Sequence, residues 1–405
     1  MNNMNKFITI QVGARRKYAI PSILEDAGML EALYTDICAD VGLGQWLDAY
    51  CPKPLRAQSS IQRLLNRKLP STIERKTTTF EHSAIEYLIF QKLAGNDIKK
   101  QHSALVSFSH KFGRQLVKRG LGKATHVFSM FGEGAELLEE AKRQNLKTIT
   151  EIYISPATHR IVQEERSLYP ELEAVLSEEI VRRDYATFAE ICRLTDIFLV
   201  PSKFVQEGLA EFGIGEDRCR LVPYAVDDTW FEIKRNPVVG RILFVGTAEI
   251  RKGIHILAQA AQKLAPLGYE FRVAGGVSDT IRNHPTMQHL NFLGRVPRAD
   301  IQKEYARADI FVLPSLAEGS AEVTYEALAS ALPVITTKAA GSVVRHSVDG
   351  FIVPESSPTE LAQAIESIVE DRTLRHEMSC SARQRAKDYT WKKYEERLLE
   401  ICLAV

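Results

Sequence analysis

Two stretches in the second half of the chain place charged residues directly after a short apolar run. Arg251 and Lys252 follow the run Arg241–Val245 and precede a helical pattern that begins near Gly253. A helix N-terminus carries N–H groups without acceptors and a partial positive charge, so two adjacent cations beside it predict a binding site for a diphosphate. The same Arg-Lys-Gly triplet also occurs on surfaces that bind no ligand, and that interpretation stays open.

The second stretch follows the apolar run Ile310–Leu313 and contains two glutamates, Glu318 before a predicted helix and Glu326 within it. Gly319 and Ser320 would let the backbone approach a ligand closely, and the first helical amides would face an anion. A carboxylate inside such a helix can accept hydrogen bonds from a ribose diol. Alternatively, Glu318 caps the helix and Glu326 is a solvated surface residue, although an unpaired carboxylate would be costly on a helix so poor in charge.

A third loop, Gly294-Arg295-Val296, follows an apolar run that ends at Leu293. Backbone N–H and C=O groups in such a loop can hydrogen-bond to the edge of a nucleobase. Because open α/β sheets bind ligands beyond the carboxyl ends of their strands, all three loops are expected at one edge of a sheet.

The elements that must position these loops are short apolar strands alternating with helices over residues 241–370. Strands of this kind predict a parallel sheet covered by helices on both faces, and right-handed crossovers make it doubly wound. The first half opens with a strand over Phe7–Val12, then Gly13, then a helical pattern from about Pro21 to Leu33. The chain therefore reads as two α/β units with a boundary near residues 234–240.

Bulk properties agree with two soluble domains. A length of 405 residues exceeds one hydrophobic core, and 45% hydrophobic with 25% charged residues is an ordinary globular composition. Six scattered cysteines without a Cys-x-x-Cys pair argue against a zinc site and a disulfide scaffold, and suit a reducing compartment. The polar start Met1–Lys6 predicts no signal peptide, and no apolar run approaches the length of a membrane helix.

The net charge of +1 conceals a basic segment over residues 53–123. It carries 15 Lys and Arg residues against 4 acidic ones, so the rest of the chain is acidic overall. This asymmetry predicts an anionic surface or partner for the segment, and a solvated face with scattered lysines fits equally well. Nucleic acid is a poor fit, because regularly interleaved aromatic residues and known nucleic-acid modules are absent from the sequence.

Together these stretches resemble the retaining glycosyltransferases of family 4, which have the two-domain GT-B fold. The matching motifs are Phe244-Val245-Gly246 with Arg251-Lys252-Gly253, Phe292-Leu293-Gly294-Arg295-Val296, Asp309 to Ser315 with Glu318-Gly319, the pair Glu318 and Glu326, Leu332 to Thr337, Ala340 to Pro354, and Val222 to Asp227. The resemblance implies two Rossmann-like, doubly wound domains facing across a cleft, at residues 1–235 and 236–385. It also implies a C-terminal helix over residues 386–405 that packs back toward the first domain.

The resemblance further implies a role for each candidate residue. Lys252 would bind the donor diphosphate with Arg251 assisting, Glu326 would hold the ribose hydroxyls, and Glu318 would lie beside the donor sugar. The remaining donor-binding candidates are Gly13, Val296, Gly319, Ser320, Val323 and Thr324.

The sequence departs from the family pattern at several positions. Thr247 stands where many members carry an arginine, so phosphate binding would rest on Lys252 and Arg251 alone. Tyr224-Ala225 replaces the usual Asn-Gly before the linker. Members often have a histidine of the first domain at the donor sugar, and His159 is the catalytic candidate here. A histidine that caps or packs the following helix fits the same position.

The implied reaction moves a sugar from a nucleoside diphosphate to an acceptor hydroxyl with retention, and family members generally need no metal. No cofactor beyond the nucleotide-sugar donor is expected. The basic segment then predicts a cytoplasmic enzyme, peripheral on the anionic inner face of the membrane, acting on a saccharide or lipid-linked saccharide in bacterial surface polysaccharide assembly. Two alternatives remain, a GT-B-fold sugar-nucleotide epimerase and a non-catalytic nucleotide-sugar-binding subunit.

Overall fold

The computed structural model describes residues 5–52, 59–95 and 97–405. Residues 53–58 and 96 of the basic segment, and residues 1–4 of the polar N-terminus, lie outside the described residues. The described ranges form two parallel sheets, one in each half of the chain, with helices between the strands. Among these helices there is none long and apolar enough to cross a bilayer.

The first sheet has seven parallel strands in the order β3-β2-β1-β4-β5-β6-β7. Its strands are β1 Phe7–Ile10, β2 Leu30–Thr35, β3 Thr77–Thr79, β4 His126–Met130, β5 Lys147–Glu151, β6 Ile197–Val200 and β7 Cys219–Leu221. Its helices are α1 Ala19–Asp26, α2 Gly42–Tyr50, α3 Ser59–Leu65, α4 Glu81–Ala94, α5 Ile98–Arg119, α6 Ala135–Arg143, α7 Thr158–Leu168, α8 Glu178–Leu194 and α9 Lys203–Ala210. The central strands β1 and β4 are buried along their whole length, as expected for a sheet covered on both faces.

The second sheet has six parallel strands in the order β10-β9-β8-β11-β12-β13. Its strands are β8 Arg241–Val245, β9 Glu270–Ala274, β10 Leu290–Gly294, β11 Ile310–Leu313, β12 Val334–Thr337 and β13 Gly350–Val353. Its helices are α10 Ile254–Lys263, α11 Asp279–Arg282, α12 Arg298–Arg307, α13 Glu322–Ala329, α14 Pro358–Glu370 and α15 Arg372–Ala386, followed by α16 Trp391–Ala404.

These strand orders confirm the prediction of two doubly wound α/β units. In each sheet the order reverses beside the first strand, between β1 and β4 and between β8 and β11. Ligands of such sheets bind at this reversal, beyond the carboxyl ends of the two strands. The loops after β8 and β11 are the two that carry the charged candidates, so the topology brings them to one edge.

The prediction of a helix from about Pro21 to Leu33 is wrong in its second half. Helix α1 ends at Asp26, and Gly28 takes a left-handed conformation with φ +68°. The chain then turns back, and residues 30–35 form β2, which pairs in parallel with β1. Pairing with a central strand outweighs the helical preference of Leu30-Glu31-Ala32-Leu33, because both faces of the new strand become buried.

The last helix returns to the first half of the chain. The side-chain amide of Asn5 donates to the carbonyl oxygen of Cys402 at 3.0 Å, and Arg16 donates to the hydroxyl of Tyr394 at 3.3 Å. Helix α16 therefore lies against the edge of the first unit near α1, while α15 stays with the second sheet.

Candidate functional site

The turn after β8 is built around two glycines. Gly246 has φ +147°, and a Cβ there would lie 3.1 Å from Cδ of Lys252. Gly253 has φ +71°, and a Cβ there would lie 2.0 Å from the carbonyl oxygen of Pro314. Glycine at these positions lets Lys252 lie over the strand end and lets the turn Ile250–Lys252 pack against the loop after β11.

Arg251, Lys252 and Glu318 form one cluster at this edge. Glu318 pairs with Lys252 through one carboxylate oxygen and with Nη1 of Arg251 at 2.7 Å through the other. Arg251 also contacts Glu249 at 2.6 Å. Burial acts to lower the pKa of Arg251, but the carboxylates of Glu318 and Glu249 outweigh it and raise that pKa. The cluster therefore brings two basic side chains together, and a diphosphate could replace Glu318 as their partner.

The N-terminus of α13 lies beside this cluster. The serine and threonine hydroxyl groups there already make hydrogen bonds within the protein. Ser320 Oγ donates to the carbonyl oxygen of Gly341 at 2.8 Å, and Thr324 Oγ1 donates to that of Ala321 at 2.7 Å. The side chains of these candidates therefore fix the loop. The amide of Thr324 also donates to the carbonyl oxygen of Ala321, at 2.9 Å. What the helix offers a ligand is therefore its first two amides, those of Glu322 and Val323, which have no acceptor within the helix.

Glu326 lies in the second turn of α13 and lines a cavity of about 80 Å³ with Arg298 and Asp227. The hydroxyl of Tyr305 donates to Glu326 Oε2 at 3.1 Å. Burial raises the pKa of Glu326 to about 7, although the Tyr305 hydroxyl and the charge of Arg298 act to lower it. A half-buried carboxylate with one hydrogen bond retains acceptor sites for a diol. Its cavity contains none of the three residues of the Arg251 cluster.

The raised pKa of Glu326 predicts a stability that falls with pH. The folded state favours the protonated carboxyl, so its stabilising contribution is full below the unfolded pKa of about 4.5 and is lost as pH rises through about 7. We expect Glu326→Gln, which cannot ionise, to gain about 2 kcal/mol of unfolding free energy over the wild type near pH 8.5 and little near pH 4. Urea denaturation at both pH values measures this. Glu366→Gln on the exposed face of α14 is the matched control, and a difference independent of pH would contradict the assignment.

The predicted nucleobase loop lies next to Glu326. Val296 is half-buried against the core, two residues before Arg298 in α12. Because Arg298 shares the small cavity with Glu326, the loop after β10 and the ribose candidate occupy the same side of the second unit.

Gly13 follows β1 at the reversal point of the first sheet. It has φ +74°, and its N–H donates to Asp36 Oδ1 at 2.8 Å. The neighbouring Val12 N–H donates to Glu133 Oε2 at 2.8 Å, and Arg15 lies 3.4 Å from the other oxygen of Glu133. Burial raises the pKa of Glu133 to about 8 against the opposing effect of Arg15. Glu133 and Arg15 are site residues that the sequence analysis did not name.

Three consecutive non-glycine residues after Gly13 have left-handed backbones. Arg16, Lys17 and Tyr18 have φ values of +46°, +53° and +59°. Each such residue costs roughly 1 kcal/mol or more. Arg16 offsets this cost through a buried ion pair with Glu151 and a position 4.3 Å from the centre of the Tyr224 ring. The loop facing the cleft is therefore fixed in a strained conformation.

His159 is the second residue of α7 and lies on the wall of a cavity of about 530 Å³ in the first unit. Its Nε2 lies 3.0 Å from Asp184 Oδ2, and His102 Nε2 lies 2.8 Å from Asp184 Oδ1. The two histidines hold the pKa of Asp184 below its usual range although burial opposes them. Arg251 lines the same cavity, so His159 faces a space that reaches the cation cluster.

Gly319 joins the two units directly. A Cβ at this position would lie 1.8 Å from the carbonyl oxygen of Tyr153, in the loop after β5. The hydroxyl of Ser202 donates to the carbonyl oxygen of Gly319. Gly319 therefore meets backbone of the first unit at a distance that only glycine permits, one residue away from Glu318.

A second contact between the units supports the turn that carries the cations. Glu173, after α7, accepts a hydrogen bond from the N–H of Ile250 at 2.7 Å. Glu165 Oε1 lies 2.7 Å from Nε2 of the buried His255, in the first turn of α10. The first unit thus holds the backbone N–H of Ile250, directly before Arg251, and the side chain of His255, three residues after Lys252.

Comparison with known proteins agrees with this geometry. Residues 229–385 match the family of glycosyl transferases group 1. A sucrose-phosphate synthase from Thermosynechococcus elongatus has a TM-score of 0.66 at 17% identity over 98% of both chains. HepE of Anabaena, solved with UDP and glucose, has a TM-score of 0.61 at 15% identity, covering 99% of this chain and 100% of that one. The fold is therefore the GT-B fold of glycosyltransferases, as the sequence predicted.

Several curated glycosyltransferases are similar to part of this chain. The capsular polysaccharide biosynthesis glycosyltransferase CapM of Staphylococcus aureus is 30% identical over 162 residues, which is 38% of this chain and 42% of the relative. The amylovoran biosynthesis glycosyltransferase AmsK of Erwinia amylovora is 24% identical over 58% of both. The chain thus spans about half the length of the curated relatives it matches.

Proposed function

We propose that the chain is a retaining glycosyltransferase that moves a sugar from a nucleoside diphosphate to an acceptor hydroxyl in surface polysaccharide or glycolipid synthesis. The observation that carries the proposal is the convergence of Arg251, Lys252 and the first turn of α13 at the strand-order reversal of the second sheet. The names of CapM and AmsK, both polysaccharide biosynthesis glycosyltransferases, support the pathway class.

In this proposal the donor diphosphate replaces Glu318 as the partner of Arg251 and Lys252. The glycosidic C–O bond to phosphate breaks and negative charge develops on the departing oxygen, where the two cations and the helix amides stabilise it. The acceptor oxygen forms the new bond on the same face, and its proton passes to the departing phosphate. Glu318, released from its ion pairs, positions the sugar rather than attacking it. Glu326 accepts hydrogen bonds from the ribose.

Family resemblance supports the remaining features of the proposal. Retention and independence of metal ions follow from it as predictions, as does the position of His159 at the donor sugar. A place on the inner face of the cytoplasmic membrane rests on the basic segment 53–123, of which residues 59–95 and 97–123 are described.

A panel of nucleotide sugars tested by thermal shift checks the proposal. We expect one donor class to raise the melting temperature, because a ligand at a hundred times its Kd adds about 2.7 kcal/mol to the stability of the native state. The matched nucleoside monophosphate should shift it less, since it lacks the second phosphate. Donor turnover then separates the classes: a transferase consumes donor with acceptor, an epimerase converts it without acceptor, and a sensor leaves it intact. A panel with no stabilising member would refute the proposal.

A further inference from the structure

The cavity in the first unit has mostly apolar walls. It measures about 530 Å³ and lies among α5, α7, α8 and the loops after β4 and β5. Its lining includes Leu105, Val106, Phe131, Val162 and Phe188. The volume is typical of sites for small organic molecules. Walls of this kind fit a hydrocarbon better than a bare saccharide, whose hydroxyl groups need hydrogen-bond partners when buried.

One end of this cavity meets the cation cluster. Arg15 and Tyr153 line it from the first unit and Arg251 lines it from the second. Arg251 is also the partner of Glu318 at 2.7 Å. A molecule that occupies the cavity therefore brings one end to the proposed site of sugar transfer, which is where an acceptor must place its hydroxyl.

Helix α5, which lines part of the cavity, also carries exposed apolar side chains, as does the helix α4 packed against it. Helices α4 and α5 pack against each other, and their joined ends expose Leu93, Ile89 and Ile98 at 75%, 55% and 50%. Leu105 is 48% exposed and also lines the cavity. Several large apolar side chains exposed together mark an interaction surface rather than an ordinary protein exterior.

Exposed lysines flank these apolar residues in the sequence. Lys92, Lys99 and Lys100 lie beside Leu93 and Ile98 in the sequence, and all three are exposed. Apolar side chains flanked by lysines match an anionic lipid leaflet, with its hydrocarbon interior and negative headgroups. A second copy of the chain on the same face would oppose lysine to lysine, so the charges favour the membrane.

We propose that the acceptor is an amphipathic lipid whose aliphatic tail lies in this cavity, and that the ends of α4 and α5 insert into an anionic leaflet to admit it. The acceptor role rests on the proposed transferase function, whereas tail binding does not. The tail enters past Leu105, and the polar end of the lipid lies near Arg15 and Arg251.

Binding of alkyl β-glucosides from butyl to decyl, below their micelle-forming concentrations, tests the cavity without any donor. We expect the affinity to rise about threefold to fourfold with each methylene until the cavity is filled, and then to level off. Val106→Trp, which narrows the cavity, should remove that dependence, while Ser103→Trp on the exposed face of α5 should keep it. Affinity independent of chain length in the wild type overturns the proposal whether or not the variants fold. If the glucosides bind as expected and no nucleotide sugar does, only the acceptor role fails.

Flotation with vesicles of phosphatidylcholine, with and without phosphatidylglycerol, tests the lipid surface. We expect binding only to the anionic vesicles, and Leu93→Ser with Ile98→Ser should reduce it by about tenfold or more while leaving glucoside affinity unchanged. Leu403→Ser, an equally exposed leucine on α16, is the matched control. Absence of flotation, or a dimer that dissociates in the Leu93→Ser, Ile98→Ser variant, would show that this surface has another occupant.

Discussion

Lys252→Ala is expected to lower kcat for sugar transfer about 10²-fold, with a weaker affinity for the donor diphosphate. The variant removes one of the two cations that pair with Glu318, and leaves Arg251 as the remaining one. Negative charge on the departing phosphate is then less stabilised, most of all in the transition state. Steady-state kinetics with the donor identified by thermal shift give kcat, and calorimetry gives the donor Kd.

The control for this change is Lys263→Ala, at an exposed lysine that ends α10, the helix that follows Lys252. It removes an equal charge from the second unit, and it should leave kcat and Kd unchanged. A melting temperature measured for both variants separates lost catalysis from lost folding. If Lys252→Ala keeps wild-type kinetics while it is folded, the cluster of Arg251, Lys252 and Glu318 is not the diphosphate site.

The variant Gly319→Ala, which adds one methyl group, should also lower kcat/KM about 10²-fold. Gly319→Ala places Cβ 1.8 Å from the carbonyl oxygen of Tyr153, which cannot move away without displacing the loop after β5. The two units must then separate by an ångström or more beside Glu318. A displacement of this size between reacting groups is typically worth about two orders of magnitude in rate.

Kinetics and small-angle scattering with donor bound should reveal this effect as a slower and more open enzyme. The control is Gly215→Ala, at an exposed glycine whose close neighbour is the flexible side chain of Asp217. Because each unit keeps its own core, Gly319→Ala should retain native secondary structure. Wild-type activity in this variant would mean that the contact with Tyr153 is absent during turnover.

The parts of the fold that sequence could predict are those with strong local signals. Strands β8 and β11 are short apolar runs followed by Gly246 and Pro314, and the loops 246–253 and 314–321 then lead to helices α10 and α13. Strand β2 was missed because Leu30-Glu31-Ala32-Leu33 is locally helical and becomes a strand only through pairing with β1. The short edge strand β3, Thr77–Thr79, likewise depends on β2 as its neighbour.

The residues of the candidate site show the same difference between local and long-range signals. Arg251, Lys252 and Glu318 could be proposed from sequence because they follow two apolar strands, β8 and β11, and the parallel sheet brings the ends of these strands to one edge. The ion pairs of Glu133 and Glu151 could not be proposed, since their partners Arg15 and Arg16 lie more than a hundred residues away in the sequence. The loop Gly132-Glu133-Gly134 follows β4 at the reversal point of the first sheet, and that rule of topology would have identified it.

Glu173 accepts a hydrogen bond from the N–H of Ile250 and Glu165 contacts His255, and these contacts have a consequence for dissecting this protein. A fragment that starts near residue 236 would contain every cation of the candidate phosphate turn, but it would lack Glu165 and Glu173, which hold residues on either side of those cations. Its nucleotide affinity should fall below that of the intact chain, because ordering the turn would then be part of the cost of binding. Ligand screening against such a fragment would therefore underestimate the affinity of true donors. The intact chain is the proper target.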